Sequence, residues 1–112
     1  MRQFHHIGLP TDQSQPGEVY VAETKVWVTD PRKHKYHVEF LRFEPDSPVT
    51  GPVRDLPHIA YRVDNLKKAI KGKNVILGPF EACPGCTVVF LLKDGAVVEF
   101  MQFTSDANLP WK

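Results

Sequence analysis

Two histidines and two glutamates alternate along this chain inside matching local sequences. His6 opens His6-Ile7-Gly8-Leu9 and His58 opens His58-Ile59-Ala60-Tyr61, while Glu39 lies in Val38-Glu39-Phe40-Leu41-Arg42-Phe43 and Glu99 in Val98-Glu99-Phe100-Met101-Gln102-Phe103. Imidazole nitrogen and carboxylate oxygen together suit Zn, Ni, Co, Mn or Fe(II), and the imidazoles argue against a hard calcium site. Two neutral imidazoles and two carboxylates carry a double negative charge, which a divalent cation neutralises. Without a cation, two carboxylates held close would repel and one would be pushed toward its protonated form. An ion with room for six ligands would keep positions open for water or substrate.

These residues need elements that bring them together. Each glutamate sits in a run of β-branched and aromatic residues that reads as a strand, and an acid there is costly to bury unless a cation or hydrogen bonds meet it. Side chains alternate along a strand, so His37, Glu39, Leu41 and Phe43 share one face, and Val97, Glu99, Met101 and Phe103 share the matching face. By the same alternation His6 shares a face with Phe4 and Gly8, His58 with Ala60, and His5 points the other way. Glycine and alanine two residues beyond the histidines would leave room for a ligand. The repeat predicts a duplicated unit whose pseudo-twofold converges the four side chains in one concave sheet. The second copy is eight residues longer, which a short helix present only there would explain.

Read in order, residues 4–9 form the first strand, ended by Pro10, and residues 11–17 are polar turn material with no helical periodicity. Strand segments follow at 19–21 and 25–29, then 36–43. Residues 45–56, with Pro45, Pro48, Gly51 and Pro52, read as a linker between a first module at about 3–44 and a second at about 57–103. In the second module a strand over 58–63 leads to a helix of about two turns, capped by Asp64, with Leu66, Ala69 and Ile70 on one face and Gly72 as its stop. A short strand at 75–77, a Pro84-Gly85 turn and a hairpin around Asp94-Gly95 complete it. Residues 104–112 read as a tail whose Trp111 could dock on a neighbour.

Bulk properties narrow the function. At 112 residues with 42% hydrophobic content, the chain fits one small domain in which the two modules share a core. The formal net charge of +1 balances 14 basic against 13 acidic side chains, which disfavours a nucleic-acid partner. No apolar run approaches the roughly 20 residues of a membrane span, and no signal-peptide pattern opens the chain, so a soluble cytoplasmic protein is expected. Two cysteines, Cys83 and Cys86, make no disulfide framework. Their spacing is that of a redox or zinc half-site, but without a second half or a following helix they read as turn-flanking thiols.

The four motifs, in this order and duplicated, resemble the vicinal oxygen chelate superfamily, which includes glyoxalase I, methylmalonyl-CoA epimerase, extradiol dioxygenases and the fosfomycin and bleomycin resistance proteins. The resemblance covers about residues 4–103. It implies an α+β fold of paired βαβββ modules forming a cupped mixed sheet, with the first-module helix degenerate or missing because residues 11–17 stand in its place. Carried over by position, the metal ligands are His6, Glu39, His58 and Glu99, from the first and last strand of each module. Homodimers are common in that family.

A histidine in a strand is ordinarily just hydrogen-bonded, and a glutamate just solvated; the recurrence of both in matched sequences is what favours ligands here. His37 reads as a surface histidine, with a place behind the metal site as the sharper alternative. The resemblance implies a metal-dependent lyase or isomerase acting on a small substrate with adjacent oxygens, with Glu39 or Glu99 as the base. A ring-cleaving dioxygenase ranks lower because Glu39 would take a position that oxygen or substrate needs. A drug-binding or drug-modifying protein of the resistance type is the alternative from another class.

Overall fold

The computed structural model describes residues 2–104. Eight strands form a single sheet in the order β2-β3-β4-β1-β5-β8-β7-β6. In chain order they are β1 (Arg2–Pro10), β2 (Val19–Val21), β3 (Val26–Val28), β4 (Val38–Phe43), β5 (His58–Val63), β6 (Val75–Cys83), β7 (Cys86–Lys93) and β8 (Ala96–Phe103). β1 runs parallel to β4 and β5 parallel to β8, while β1 and β5 meet antiparallel at the centre. The order reads the same from the middle outward in both directions: first strand, last strand, third, second. Duplication is thus expressed as a pseudo-twofold between β1 and β5. The curled mixed sheet, with few helices, has the cupped form expected of the chain.

Alternation divides the apolar residues into two cores. On the concave side Val49, Val53, Ala60, Cys86, Val88, Phe90, Val97 and Met101 pack together, joined by Phe43, Leu77 and Phe80. On the convex side of the second half Val63, Leu66, Val89, Leu91 and Phe100 pack under a one-turn helix, α2 (Leu66–Ala69). Val88 and Val89, adjacent on β7, serve opposite cores, as the two-residue period of a strand dictates.

Several expectations are corrected. The helix is capped by Asn65, whose side chain accepts from the Lys68 amide, and it is one turn long. Gln102 Oε1 on β8 accepts from the Leu66 amide and ties the helix to the sheet. The eight extra residues of the second copy therefore come mostly from longer strands: β6 and β7 have nine and eight residues where β2 and β3 have three each. The strand expected at 75–77 runs on to Cys83. Residues 45–56 are more than a connection. They carry the short helix α1 (Pro52–Asp55), and Val49 and Val53 are buried in the concave core, so this segment closes one side of the cup. Ser47 anchors it by donating to the Thr24 carbonyl and accepting from the Val49 amide.

The first module has no helix between β1 and β2. Its convex face carries Trp27 and Arg42, which are paired across β3 and β4. The Arg42 guanidinium lies over the Trp27 ring and binds Glu18 through two nitrogens. No helix among the described residues is long and apolar enough to cross a membrane. The proposed docking residue Trp111 lies outside the described residues.

Candidate metal centre

The two central strands and their parallel neighbours each contribute one of the four side chains. His6 comes from β1, Glu39 from β4, His58 from β5 and Glu99 from β8, so the cluster is complete within one chain. His6 Nε2 lies 3.4 Å from Glu39 Oε1 and 3.3 Å from Glu99 Oε1, and His58 Nε2 lies 3.1 Å from Glu99 Oε1. The ligand atoms of His6, Glu39 and His58 all lie within 4.8 Å of one another, and Glu99 joins them by bridging the two imidazoles. His6, His58 and Glu99 are buried, and Glu39 is the most open of the four.

Register explains the small residues beside them. Gly8 pairs with His58 on one side and Glu39 on the other; Ala60 pairs with His6 and Glu99. The space beside Gly8 is taken by the His58 ring rather than left for a ligand: a Cβ there would stand 2.0 Å from His58 Cε1. Ala60, fully buried, occupies the symmetry-related position. The two imidazoles meet edge to face with centroids 5.5 Å apart, and Phe90 packs edge-on against His58 at 5.4 Å.

A bulge in β1 changes what surrounds His6. Phe4 pairs with Tyr61 but His6 pairs with Ala60, so β1 holds one extra residue at His5. An extra residue flips the alternation. Phe4 consequently packs on Tyr61 on the convex side instead of sharing the face of His6. His5 turns toward His6 rather than to the opposite face: their Nδ1 atoms are 2.7 Å apart, and the His5 ring lies 5.9 Å from Phe103. With His6 Nε2 directed at the carboxylates, its Nδ1–H donates to His5 whether the ring is charged or ligates an ion. His5 thus orients His6, a role nothing in the local sequence signals because the bulge is not visible there. His37 is exposed, a surface histidine with its Nδ1 3.2 Å from the His5 carbonyl.

The donor set fits a cation on geometry. His6 Nε2 and His58 Nε2 are buried and close to carboxylate oxygens, yet neither forms an aligned hydrogen bond. Donors about 2.1 Å from a common ion stand at most about 4.2 Å apart, close to the observed spread. Without a cation the same atoms shift each other's protonation. Burial works against a charged His6, but the Glu39 and Glu99 carboxylates prevail and hold its pKa at about 10. Burial would raise Glu99, but His58 and His6 bring it down to about 2. An ion entering the cluster must therefore displace a proton from His6.

Above the four donors lies a cavity of about 150 Å³. Its walls come from both halves of the sheet and from the closing segment, among them Leu41, Val53, Phe80, Phe90 and Met101. Cys83 and Cys86 flank the Pro84-Gly85 turn as expected, directly opposed across the β6–β7 hairpin, and both are free thiols on the cavity wall. Burial raises the Cys86 thiol, and the neighbouring Cys83 and Glu99 add to that effect.

No protein-family model and no curated protein matches the sequence. Solved structures do match it. A hypothetical protein from Bacillus halodurans C-125 superposes with a TM-score of 0.67 at 18% identity, over 96% of this chain and 99% of that one. Methylmalonyl-CoA epimerase from Mycobacterium tuberculosis gives 0.61 at 10% identity, over 91% and 88% of the two chains. A mutant 4-hydroxymandelate synthase from Streptomyces coelicolor gives 0.50 at 14% identity, over 96% of this chain and 50% of that one. The fold is that of the vicinal oxygen chelate proteins. At these identities the likeness establishes the fold and leaves the chemistry to the side chains.

Proposed function

We propose that the protein is a divalent-metal-dependent lyase or isomerase that moves a proton next to a carbonyl of a small substrate with adjacent oxygens. The observation that carries this reading is the buried cluster of two imidazole nitrogens, neither in an aligned hydrogen bond, with two carboxylates at the floor of a cavity. His6, His58, Glu99 and Glu39 would hold the ion. A divalent ion bound there supplies a Lewis acid that acidifies a C–H beside two adjacent oxygens.

The two glutamates are placed for different work. Glu99 touches both imidazoles, is held ionised and is the less exposed carboxylate, which suits a fixed ligand. Glu39 touches only His6 and lines the cavity, which suits a base that takes a proton from substrate carbon and returns it.

Metal content decides the first half of the reading. Wild type is expected to hold one equivalent of Zn, Ni, Co, Mn or Fe(II), and His6→Ala or Glu99→Ala to lose it with at least a ~100-fold fall in affinity, beyond the 10–100-fold typical of residues that merely support a ligand. Deuterium exchange decides the second. Loaded protein should exchange the α-hydrogens of 2-hydroxyacetophenone in D₂O above the buffer rate, and Glu39→Gln should abolish this. A wild type that takes up none of the five ions, or a Glu39→Gln variant that exchanges at the wild-type rate, overturns the proposal.

A further inference from the structure

The composition of the cavity wall specifies what can enter it. The side chains on its walls are mostly apolar, with Val26, Val28 and Leu41 from the first half and Phe80, Phe90 and Met101 from the second, interrupted by Thr24 and the thiols of Cys83 and Cys86. No lysine or arginine lines it among the described residues. Apart from the imidazoles of the cluster, its charged members are all acidic. Glu39 and Glu99 belong to the cluster, and Glu23 and Glu81, both exposed, stand where the lining meets solvent.

Size and charge then act together. An apolar cavity of about 150 Å³ admits a single benzene-sized body. A divalent ion would cancel the charge of Glu39 and Glu99, and Glu23 and Glu81 would leave the mouth negative. On the walls and at the mouth, an anionic group on the part of a ligand that enters the cup would meet no lysine or arginine among the described residues and no favourable potential, and burying it unpaired is costly.

We infer that the cavity takes a neutral small molecule with a one-ring or similarly sized apolar body, and that it discriminates against phosphate or carboxylate on that body. This rests on the metal reading only for the adjacent-oxygen end of the ligand. The selectivity for an uncharged apolar body comes from the walls and the mouth.

Calorimetry with three hydroxamic acids on metal-loaded protein tests it, with metal content measured on the same sample. Benzohydroxamic acid is expected to bind at least tenfold more tightly than both its 4-carboxy analogue, which adds the charge, and acetohydroxamic acid, which lacks the ring. The double variant Glu23→Lys/Glu81→Lys, changed only at exposed positions, should tighten the 4-carboxy analogue by about threefold, the scale of an exposed charge pair. Equal affinity for the charged and neutral ring compounds, equal affinity with and without the ring, or no response in the double variant overturns the inference.

A second pair of probes separates the two readings. Benzyl alcohol and 4-hydroxymethylbenzoate lack the hydroxamate end, and on metal-free protein their ranking depends on the cavity's own side chains, Glu39 and Glu99 included. If the protein takes up no metal but still prefers benzyl alcohol, the metal reading fails and the cavity inference stands. If metal is bound and that preference is absent, the cavity inference alone fails.

Discussion

The two halves of the sheet are alike on the concave face and unlike on the convex one. Inside, His6 and Glu39 are matched by His58 and Glu99, and even the small residues correspond, Gly8 to Ala60. Outside, the second half buries Phe100, Leu91 and Val89 under Leu66 of α2, whereas the first half has no helix between β1 and β2 and covers its strands with Trp27, Arg42 and Glu18. One helix was dispensable because polar and aromatic side chains, stacked and ion-paired, can face water without an apolar cover. The inner faces match because each half brings one imidazole and one carboxylate to the same point.

This asymmetry yields its largest test in stability. Leu66→Ala, which opens the convex core of the second half, should cost about 2–5 kcal/mol in denaturant unfolding. Arg42→Gln, on the helix-free counterpart, should lower the unfolding midpoint by visibly less. Equal losses would mean that the first half depends on its convex face as much as the second does.

A sharper test concerns the inner symmetry. Gly8→Ala drives a methyl group into the His58 ring and should weaken metal binding by about 10–100-fold, as when the support of a ligand is lost. Ala60→Gly, its counterpart, should leave metal affinity nearly unchanged and cost about 0.5–1 kcal/mol in stability. Metal titration with thermal unfolding on both variants checks this; similar affinities would show that ring position does not control the centre.

The smallest effect per step is in pH. His6, from the first half, has its folded pKa raised to about 10, whereas Glu99, from the second, is lowered to about 2 and carries no proton near neutrality. A metal ion must displace the His6 proton, so affinity should rise about tenfold per pH unit between pH 7 and 9 and level off near 10. The sign is opposite for the stability of metal-free protein. A raised pKa stabilises the fold fully below about 6.5, and that contribution is lost as pH rises through 10. A flat metal affinity over this range would show that His6 is not the protonated partner.

Much of this was legible in the residues. Repetition of an acid within the same apolar hexapeptide marked both last strands, and the period-two pattern put Glu39 with Leu41 and Glu99 with Met101 on the cavity side, where both pairs lie. Polar, unpatterned residues 11–17 correctly announced a missing helix. Other features had no local signature. The bulge at His5 is a property of pairing between β1 and β5, and it reversed the expected directions of Phe4 and His5. Val49 and Val53 lie in a proline-rich stretch without periodicity, and only the cup above them makes them core. The Asn65 cap displaced the Asp64 expected next to it, a shift of one residue that only backbone geometry resolves.

The sequence by itself determined which side chains could hold a cation and which face of its strand each glutamate occupies, because donor chemistry and strand alternation are local properties. The tertiary structure decided that all four meet within a single chain, that His5 steadies His6, that the His58 ring fills the space beside Gly8, and that the cavity above them is apolar and edged with acid. Those outcomes depend on register between strands far apart in the chain, where a shift of one residue sends a side chain to the other face of the sheet.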